Sequence, residues 1–191
     1  MPPKAKFSKE QIVSAALGII RESGAGKLTA RALGKKLGSS ACPIFTVFDN
    51  MEDVMCETIK TAYRLYDEYI AEGLKDTPAF KGVGMQYIAF AIKEPKLFQL
   101  LFMTEKEQNP TMENVLPMID NNYTHILSSV KAYGLSDIDA EKINKHLWVY
   151  SHGIAVLCAT RLCSLTVEEI GNMLTEIFIA LLKEVKTGEK I

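Results

Sequence analysis

The sequence predicts an all-α protein in which three short N-terminal helices precede about six further helices. Two observations support this prediction. Apolar residues recur at steps of three and four along most of the 191 residues, which is the period of an amphipathic helix. Serine, threonine or asparagine stands before many of these stretches and glycine after them, as is usual at helix starts and ends. With 48% hydrophobic residues, the chain can bury a core in one or two small domains.

The first helix is predicted to begin at Ser8. Ser8 and Gln11 match the capping box S-x-x-Q, in which each residue satisfies a backbone N–H of the other. Gly24 and Gly26 close the helix. Its apolar face contains Ile12, Ala15, Ala16, Ile19 and Ile20.

Residues 29–48 predict two short helices joined by a glycine turn. Thr29 can cap the first of them, and Gly38 follows its apolar face. Ser39 and Ser40 can cap the second, which is predicted over 41–48.

The segment Ala41–Phe48, which we refer to as the reading segment, has the features of a helix that enters the major groove of DNA. Pro43 lies in its first turn, where a missing N–H costs little. Ile44 and Phe48 are four residues apart and can anchor it, leaving the other side chains to face outward. Two helices joined by a turn of about three or four residues form the helix-turn-helix of DNA-binding proteins.

The charge is distributed unevenly. Residues 1–48 contain eight lysines and arginines and two glutamates, whereas the net charge of the whole chain is −1. A basic N-terminal part therefore precedes an acidic remainder. This asymmetry indicates either a polyanionic partner at one end of the chain or a chance clustering of solvated charges. The helix-turn-helix spacing favours the polyanionic partner.

The rest of the chain is predicted to be helical. Helices are expected over Asn50–Gly73, 80–93, Pro95–Phe102, Met112–Tyr133, 137–162 and from Thr166 to about Val185. Asn50 is the expected cap of the first of these, and Pro117 either lies in the first turns of its helix or kinks it. The last helix begins with the capping box Thr166-x-x-Glu169 and carries an apolar stripe over four turns. That stripe belongs either to the core of the chain or to a surface that binds a second copy.

The first seventy or so residues resemble the TetR family of one-component bacterial transcriptional regulators. The resemblance is ordered and without gaps. It rests on Ile12, Ala15, Ala16, Gly24, Leu28, Thr29, Ala32, Leu33, Lys36, Leu37, Gly38, Ser40, Phe48, Asn50, Glu52, Asp53 and Val54. The resemblance implies a DNA-binding domain over 1–49 and a ligand-binding and dimerisation domain over 50–191.

Three positions depart from the family pattern. Phe45 and Val47 replace a tyrosine and a histidine, and Met51 replaces a lysine, which in relatives commonly contact DNA phosphates. Basic side chains nearby and backbone N–H groups can replace part of this grip. The residues expected at the DNA are Lys27, Thr29, Arg31, Lys35, Lys36, Ser39, Ser40, Ala41, Cys42, Pro43, Phe45, Thr46 and Val47.

The resemblance also implies a dimer in which the last two helices form a four-helix bundle with those of a second copy. Two reading segments would then match a palindromic DNA site. The residues expected at this interface are Ile154, Leu157, Arg161, Ile170, Met173, Ile177, Phe178 and Leu181.

A pocket for a small hydrophobic or amphipathic effector is expected among the middle helices, because the family has one there and charges are few. Its expected residues are Phe90, Phe98, Leu101, Phe102, Met118, Tyr123, Trp148 and His152. Trp148 and His152 share a helix face and either line a cavity or fill structural positions. Aromatic stripes of this kind also serve as ordinary core.

The expected function is that of a sequence-specific transcriptional regulator, a repressor that a small molecule releases from double-stranded operator DNA. A helical ligand-binding or adaptor protein with weakened DNA binding is the alternative. No catalytic motif indicates an enzyme. No cofactor is expected, and the four cysteines lack metal-ligand or disulfide spacing. Cys42 is either a redox sensor or a small packing residue. Without an apolar segment of about eighteen residues or a signal region, the protein is expected in the cytoplasm rather than in a membrane.

Overall fold

The computed structural model describes residues 5–105, 111–119 and 122–188, and all regular structure in these ranges is helical. The all-α prediction is therefore confirmed. Two 3₁₀ helices, Ala25–Lys27 and Cys42–Thr46, lie among the α-helices. The α-helices are α1 Lys9–Ser23, α2 Ala30–Lys36, α3 Met51–Gly73, α4 Ala79–Lys93, α5 Pro95–Phe102, α6 Met112–Ile119, α7 Tyr123–Lys131, α8 Asp137–Ala159 and α9 Val167–Thr187.

The predicted helix starts are confirmed by hydrogen bonds. The Ser8 hydroxyl accepts the N–H of Gln11 at 3.2 Å, and the Gln11 side chain accepts the N–H of Ser8 at 2.8 Å. Thr166 and Glu169 form the same reciprocal pair at the start of α9. The Asn50 side chain accepts the N–H of Asp53 at 2.8 Å and so caps α3. Each such cap stabilises its helix by about 1 kcal/mol.

Two predicted boundaries differ from the structure. The single helix expected over Met112–Tyr133 is described as α6 and α7, with residues 120 and 121 outside the described ranges. The α8 helix ends at Ala159 and not at Leu162, because Arg161 adopts a left-handed φ of 58°. A left-handed residue directs the following chain away from the helix axis.

The chain folds into two compact units. The first unit contains the described residues through Tyr66 together with Glu94–Thr104. Its core brings α1, α2 and the reading segment together through Ile12, Leu33 and Ile44, all fully buried. The α5 helix packs against α1, and its Phe102 ring lies edge-on to Tyr66 of α3, with centroids 5.1 Å apart.

The second unit contains Asp67–Lys93 and the described residues from Glu105 onward. The α4 helix is its central element, because α7, α8 and α9 all pack against it. The Phe80 ring of α4 lies 4.4 Å from that of Phe178 in α9, and Tyr133 packs edge-on against the same phenylalanine at 4.8 Å. Aromatic burial of this kind supplies much of the stability of a helical core.

The end of α3 crosses α4 at two glycines. A Cβ added to Gly82 would lie 2.2 Å from the carbonyl oxygen of Gly73, and one added to Gly73 would lie 2.6 Å from the carbonyl oxygen of Gly82. Side chains at these positions would separate the two backbones. The glycines therefore set how closely this end of α3 approaches α4.

Candidate DNA-binding surface and regulatory residues

The reading segment is anchored as predicted but is not an α-helix. Ile44 and Phe48 are buried, whereas Cys42, Phe45 and Thr46 are exposed, with 45% of Phe45 accessible. Its regular part is a 3₁₀ helix over Cys42–Thr46. The Thr46 hydroxyl donates to the carbonyl oxygen of Pro43 at 2.7 Å, and the N–H of Val47 bonds Ile44 instead, at 3.1 Å. The side-chain bond thus takes the acceptor that an α-helical bond would use.

The serines before the reading segment do not cap it. Ala41 occupies the cap position without a side-chain hydrogen bond, so the predicted capping by Ser39 and Ser40 is wrong. Ser40 is exposed. The Ser39 hydroxyl instead accepts a hydrogen bond from the Lys6 ammonium at 3.1 Å. Lys6 therefore lies beside the turn of the helix-turn-helix, a position that only contacts across 33 residues reveal.

The turn before the reading segment depends on two glycines. Gly38 adopts a left-handed φ of 66°, as expected where α2 ends. A Cβ at Gly34 would lie 2.9 Å from the carbonyl carbon of Ser40, and the Ser39 N–H bonds the Gly34 carbonyl at 2.9 Å. The chain thus folds directly back over Gly34. The sequence prediction missed this residue, although a glycine inside a helical pattern is a signal of close packing.

The predicted cationic residues gather on one side of the first unit. Lys27, Lys35 and Lys36 line an open depression of about 840 Å³ together with Thr29. The Arg31 side chain is also exposed. The Thr29 hydroxyl accepts the N–H of Ala32 at 3.2 Å and so caps α2. This surface can attract phosphate groups.

Lys36 is already paired within the chain. Its ammonium lies 2.5 Å from a carboxylate oxygen of Glu22 in α1. A phosphate must compete with Glu22 for this lysine, so its contribution to DNA affinity is reduced. The pair joins residues 14 positions apart in two helices, and sequence spacing did not indicate it.

The predicted effector residues are divided between the two units. Phe98 and Leu101 are buried in the first unit, where Phe102 packs 5.2 Å from the ring of Phe98. The second unit contains the buried Phe90 and the half-buried Tyr123, Trp148 and His152. The side chain of Met118 lies outside the described part of the structure.

A polar cluster links α4 and α8 in the second unit. The Tyr87 hydroxyl and Nδ1 of His152 share a hydrogen bond of 2.8 Å, and the Trp148 ring stacks on the imidazole with centroids 5.2 Å apart. Burial lowers the pKa of His152 below its usual value of 6.5. The imidazole is therefore neutral at pH 7 and offers a hydrogen-bonding edge beside aromatic surface. Tyr87 was not predicted, because the pairing depends on the register of α4 against α8.

The predicted dimer residues fall into two groups. Ile154, Ile170, Phe178 and Leu181 are buried in the second unit, so their side chains already contact their own chain. Leu157 and Arg161 are exposed, and Met173 and Ile177 are half-buried. The exposed apolar residues also include Val149, Leu162, Val167 and Ile179 on or near α8 and α9.

Two searches for other site types gave no candidate within the described residues. No helix there is long and apolar enough to cross a bilayer. No group of three or more histidine, cysteine, aspartate or glutamate side chains in the same ranges is arranged to hold a metal ion.

An exposed helix-turn-helix on a basic unit, followed in the chain by an all-helical second unit, defines a class of one-chain DNA-binding regulators. A sequence model of the tetracyclin repressor-like C-terminal domain matches residues 80–185, more than half of the chain. The chain therefore belongs to the tetracycline repressor-like, or TetR, family of transcriptional regulators, which is not a family of enzymes.

Solved structures share the fold over nearly the whole chain. A TetR-like transcriptional regulator from Rhodococcus sp. RHA1 matches with a TM-score of 0.66 at 16% identity, covering 99% of this chain and 100% of that one. The fatty acid degradation regulator FadR from Bacillus halodurans gives 0.61 at 18%, covering 94% and 97%. A TetR variant from Acinetobacter baumannii in complex with minocycline gives 0.52 at 16%, covering 95% and 96%. No curated protein sequence matched the chain.

Proposed function

We propose that this protein is a homodimeric repressor that binds a specific operator sequence and is released from it by a small-molecule effector. Residues 1–49 would form the DNA-binding domain and 50–191 the ligand-binding and dimerisation domain. The observation that carries the proposal is the exposure of Phe45 and Thr46 on a segment anchored by the buried Ile44. A protein of this kind works at genomic DNA, in the cytoplasm, and needs no cofactor.

The DNA contacts divide into two kinds. The exposed cations Lys27, Arg31 and Lys35 would hold phosphates and set the orientation of the protein on the duplex. The reading segment would contact base edges. Because the Thr46 hydroxyl hydrogen already bonds Pro43, the threonine methyl and the Phe45 ring offer mainly apolar contacts, which suit a thymine methyl.

A dimer would place two reading segments on one face of a palindromic site. The exposed Leu157 and Arg161 and the half-buried Met173 and Ile177 support an interface built from α8 and α9. The four predicted interface residues that are buried in the protomer would support this surface from below.

The effector would be a hydrophobic or amphipathic molecule. The polar cluster of Tyr87 and His152 beside Trp148 combines aromatic surface with few polar groups, which is typical of small-molecule sites. Effector binding would change the position of α3 and with it the distance between the two reading segments. A ligand has this effect only if it binds one spacing more tightly than the other.

A mobility-shift experiment tests the proposal. Dimeric protein is mixed with DNA that flanks its own gene, at two salt concentrations, with unrelated DNA of equal length as the control. A repressor should retain the flanking DNA selectively, and its affinity should fall steeply with salt. Lys35→Gln should weaken binding to all DNA to a similar degree.

An adaptor or ligand-binding protein with weakened DNA binding is the second candidate. It is favoured by Phe45, Val47 and Met51, which replace three residues that contact phosphate in relatives. Such a protein would retain neither DNA at low salt but would still dimerise. That result in the same experiment would reject the repressor.

A further inference from the structure

Two cysteines lie at the point where the chain leaves α8. Cys158 is in the last turn of the helix and is buried, and Cys163 follows five residues later and is exposed. The left-handed Arg161 between them turns the chain back over the helix end. The N–H of Leu162 reaches the carbonyl of Leu157 at 3.0 Å, and that of Cys163 lies 3.4 Å from the same oxygen.

This turn brings the two thiols together. The N–H of Arg161 bonds the carbonyl of Cys158 at 3.0 Å, which completes a tight helix end known as a Schellman motif. The side chains of Cys158 and Cys163 are hydrogen-bonded to each other, and the backbone N–H of Leu165 points to the Cys158 sulfur. Burial, with the neighbouring Cys163, raises the pKa of the Cys158 thiol.

A disulfide needs two cysteine Cβ atoms about 3.5–4.5 Å apart and side chains directed toward each other. Thiols in hydrogen-bond contact at a closed turn already meet the second condition. Because Cys163 is exposed, its side chain can rotate and an oxidant can reach it. We propose that Cys158 and Cys163 form a redox-active dithiol that a low-molecular-weight disulfide converts to an intramolecular disulfide.

The reaction proceeds by two exchange steps. The Cys163 thiolate attacks one sulfur of the small disulfide, whose S–S bond breaks, and a mixed disulfide on Cys163 forms as one small thiolate leaves. Cys158 then loses its proton to solvent, and its thiolate attacks the Cys163 sulfur and displaces the second small thiolate. The protein dithiol is oxidised by two electrons, and the small disulfide is reduced to two thiols that take up the two protons.

The other two cysteines provide an internal control. Cys42 and Cys56 are exposed and lie in the first unit, whereas Cys158 and Cys163 lie in the second. Exposed cysteines without a neighbouring thiol stop at the mixed disulfide. The site therefore differs from the Cys42 sensor considered on sequence grounds, and it does not depend on DNA binding.

The test uses the full-length protein in buffers that contain reduced and oxidised glutathione at a series of ratios. After acid quenching and alkylation, intact mass and peptide mapping identify the state of each cysteine. The expected result is a bond between Cys158 and Cys163 that forms reversibly, while Cys42 and Cys56 carry at most glutathione. A Cys42→Ser, Cys56→Ser double variant should form the bond unchanged, and Cys158→Ser should accumulate glutathione on Cys163.

Three results would overturn the proposal. Cys158 could remain reduced at every ratio, Cys163 could retain glutathione in the wild type as stably as in Cys158→Ser, or the mapped bond could join other cysteines. Because the mapping uses the wild-type chain, the conclusion does not depend on whether the buried serine variant folds. Circular dichroism of each variant checks that point.

Discussion

Arg21 and Glu94 form a bidentate ion pair within the first unit. The guanidinium Nε and Nη2 donate to the two carboxylate oxygens at 2.9 and 2.8 Å. Arg21 lies in the last turn of α1, and Glu94 caps α5 at the residue before Pro95. The Glu94 side chain is 17% exposed and that of Arg21 is 40% exposed, so the pair is only partly screened by water. It fixes the end of the first helix of the helix-turn-helix domain to the start of α5.

Replacing Glu94 should therefore destabilise the first unit. Glu94→Gln keeps the shape of the side chain but removes the charge, and we expect the free energy of unfolding to fall by about 1 kcal/mol. Urea denaturation measures this loss. The control is Glu72→Gln, which breaks an exposed pair with Lys75 and should cost less than about 0.5 kcal/mol. Equal losses in the two variants would show that the Arg21 pair has no special weight.

Removing Glu22 should strengthen DNA binding. Glu22→Gln releases Lys36 from its 2.5 Å ion pair, so that the lysine can bind a phosphate. The affinity should rise, and the slope of log K against log salt should become steeper by about 0.9. Mobility shifts over a salt series measure both quantities. Glu10→Gln removes the same charge from α1 without affecting Lys36. If it raises the affinity and the slope equally, the effect is one of net charge alone.

Gly34 should not tolerate a side chain. Gly34→Ala places a methyl group 2.9 Å from the backbone of Ser40, so the chain that leads into the reading segment must shift. We expect a loss of about 1–3 kcal/mol in the free energy of unfolding and weaker operator binding. Gly18→Ala is the matched control, because its methyl would meet only the Lys36 side chain, at an ordinary 3.5 Å. It lies within α1 and should stabilise the protein by about 0.5–1 kcal/mol. The same loss in both variants would contradict this account of the turn.

The sequence predicted the features that depend on neighbours within four residues. The capping boxes at Ser8 and Thr166, the cap at Asn50 and the anchoring of the reading segment by Ile44 and Phe48 all follow from local spacing. Such patterns need no knowledge of how the helices pack. The 3₁₀ form of the reading segment was missed because the hydroxyl of Thr46 competes for a backbone acceptor.

Features that depend on two distant elements could not be predicted. The hydrogen bond of Tyr87 with His152 spans 65 residues, and the pair of Glu22 with Lys36 spans 14. Likewise, the apolar stripe of α9 is broad enough for two partners. Periodicity alone did not indicate that Phe178 would pack on Phe80 of the same chain.

The stability of the protein should rise with pH through the titration of His152. Burial lowers the pKa of this imidazole in the folded state below 6.5, so the unfolded chain binds the proton at a higher pH than the folded chain does. The free energy of unfolding should fall as the pH drops below 6.5 and level off below the folded-state pKa. Urea denaturation between pH 5 and 8 measures this dependence. In His152→Gln the slope in this window should be smaller, whereas His146→Gln, at an exposed position of the same helix, should retain it. A wild-type slope that survives in His152→Gln would assign the dependence to another group.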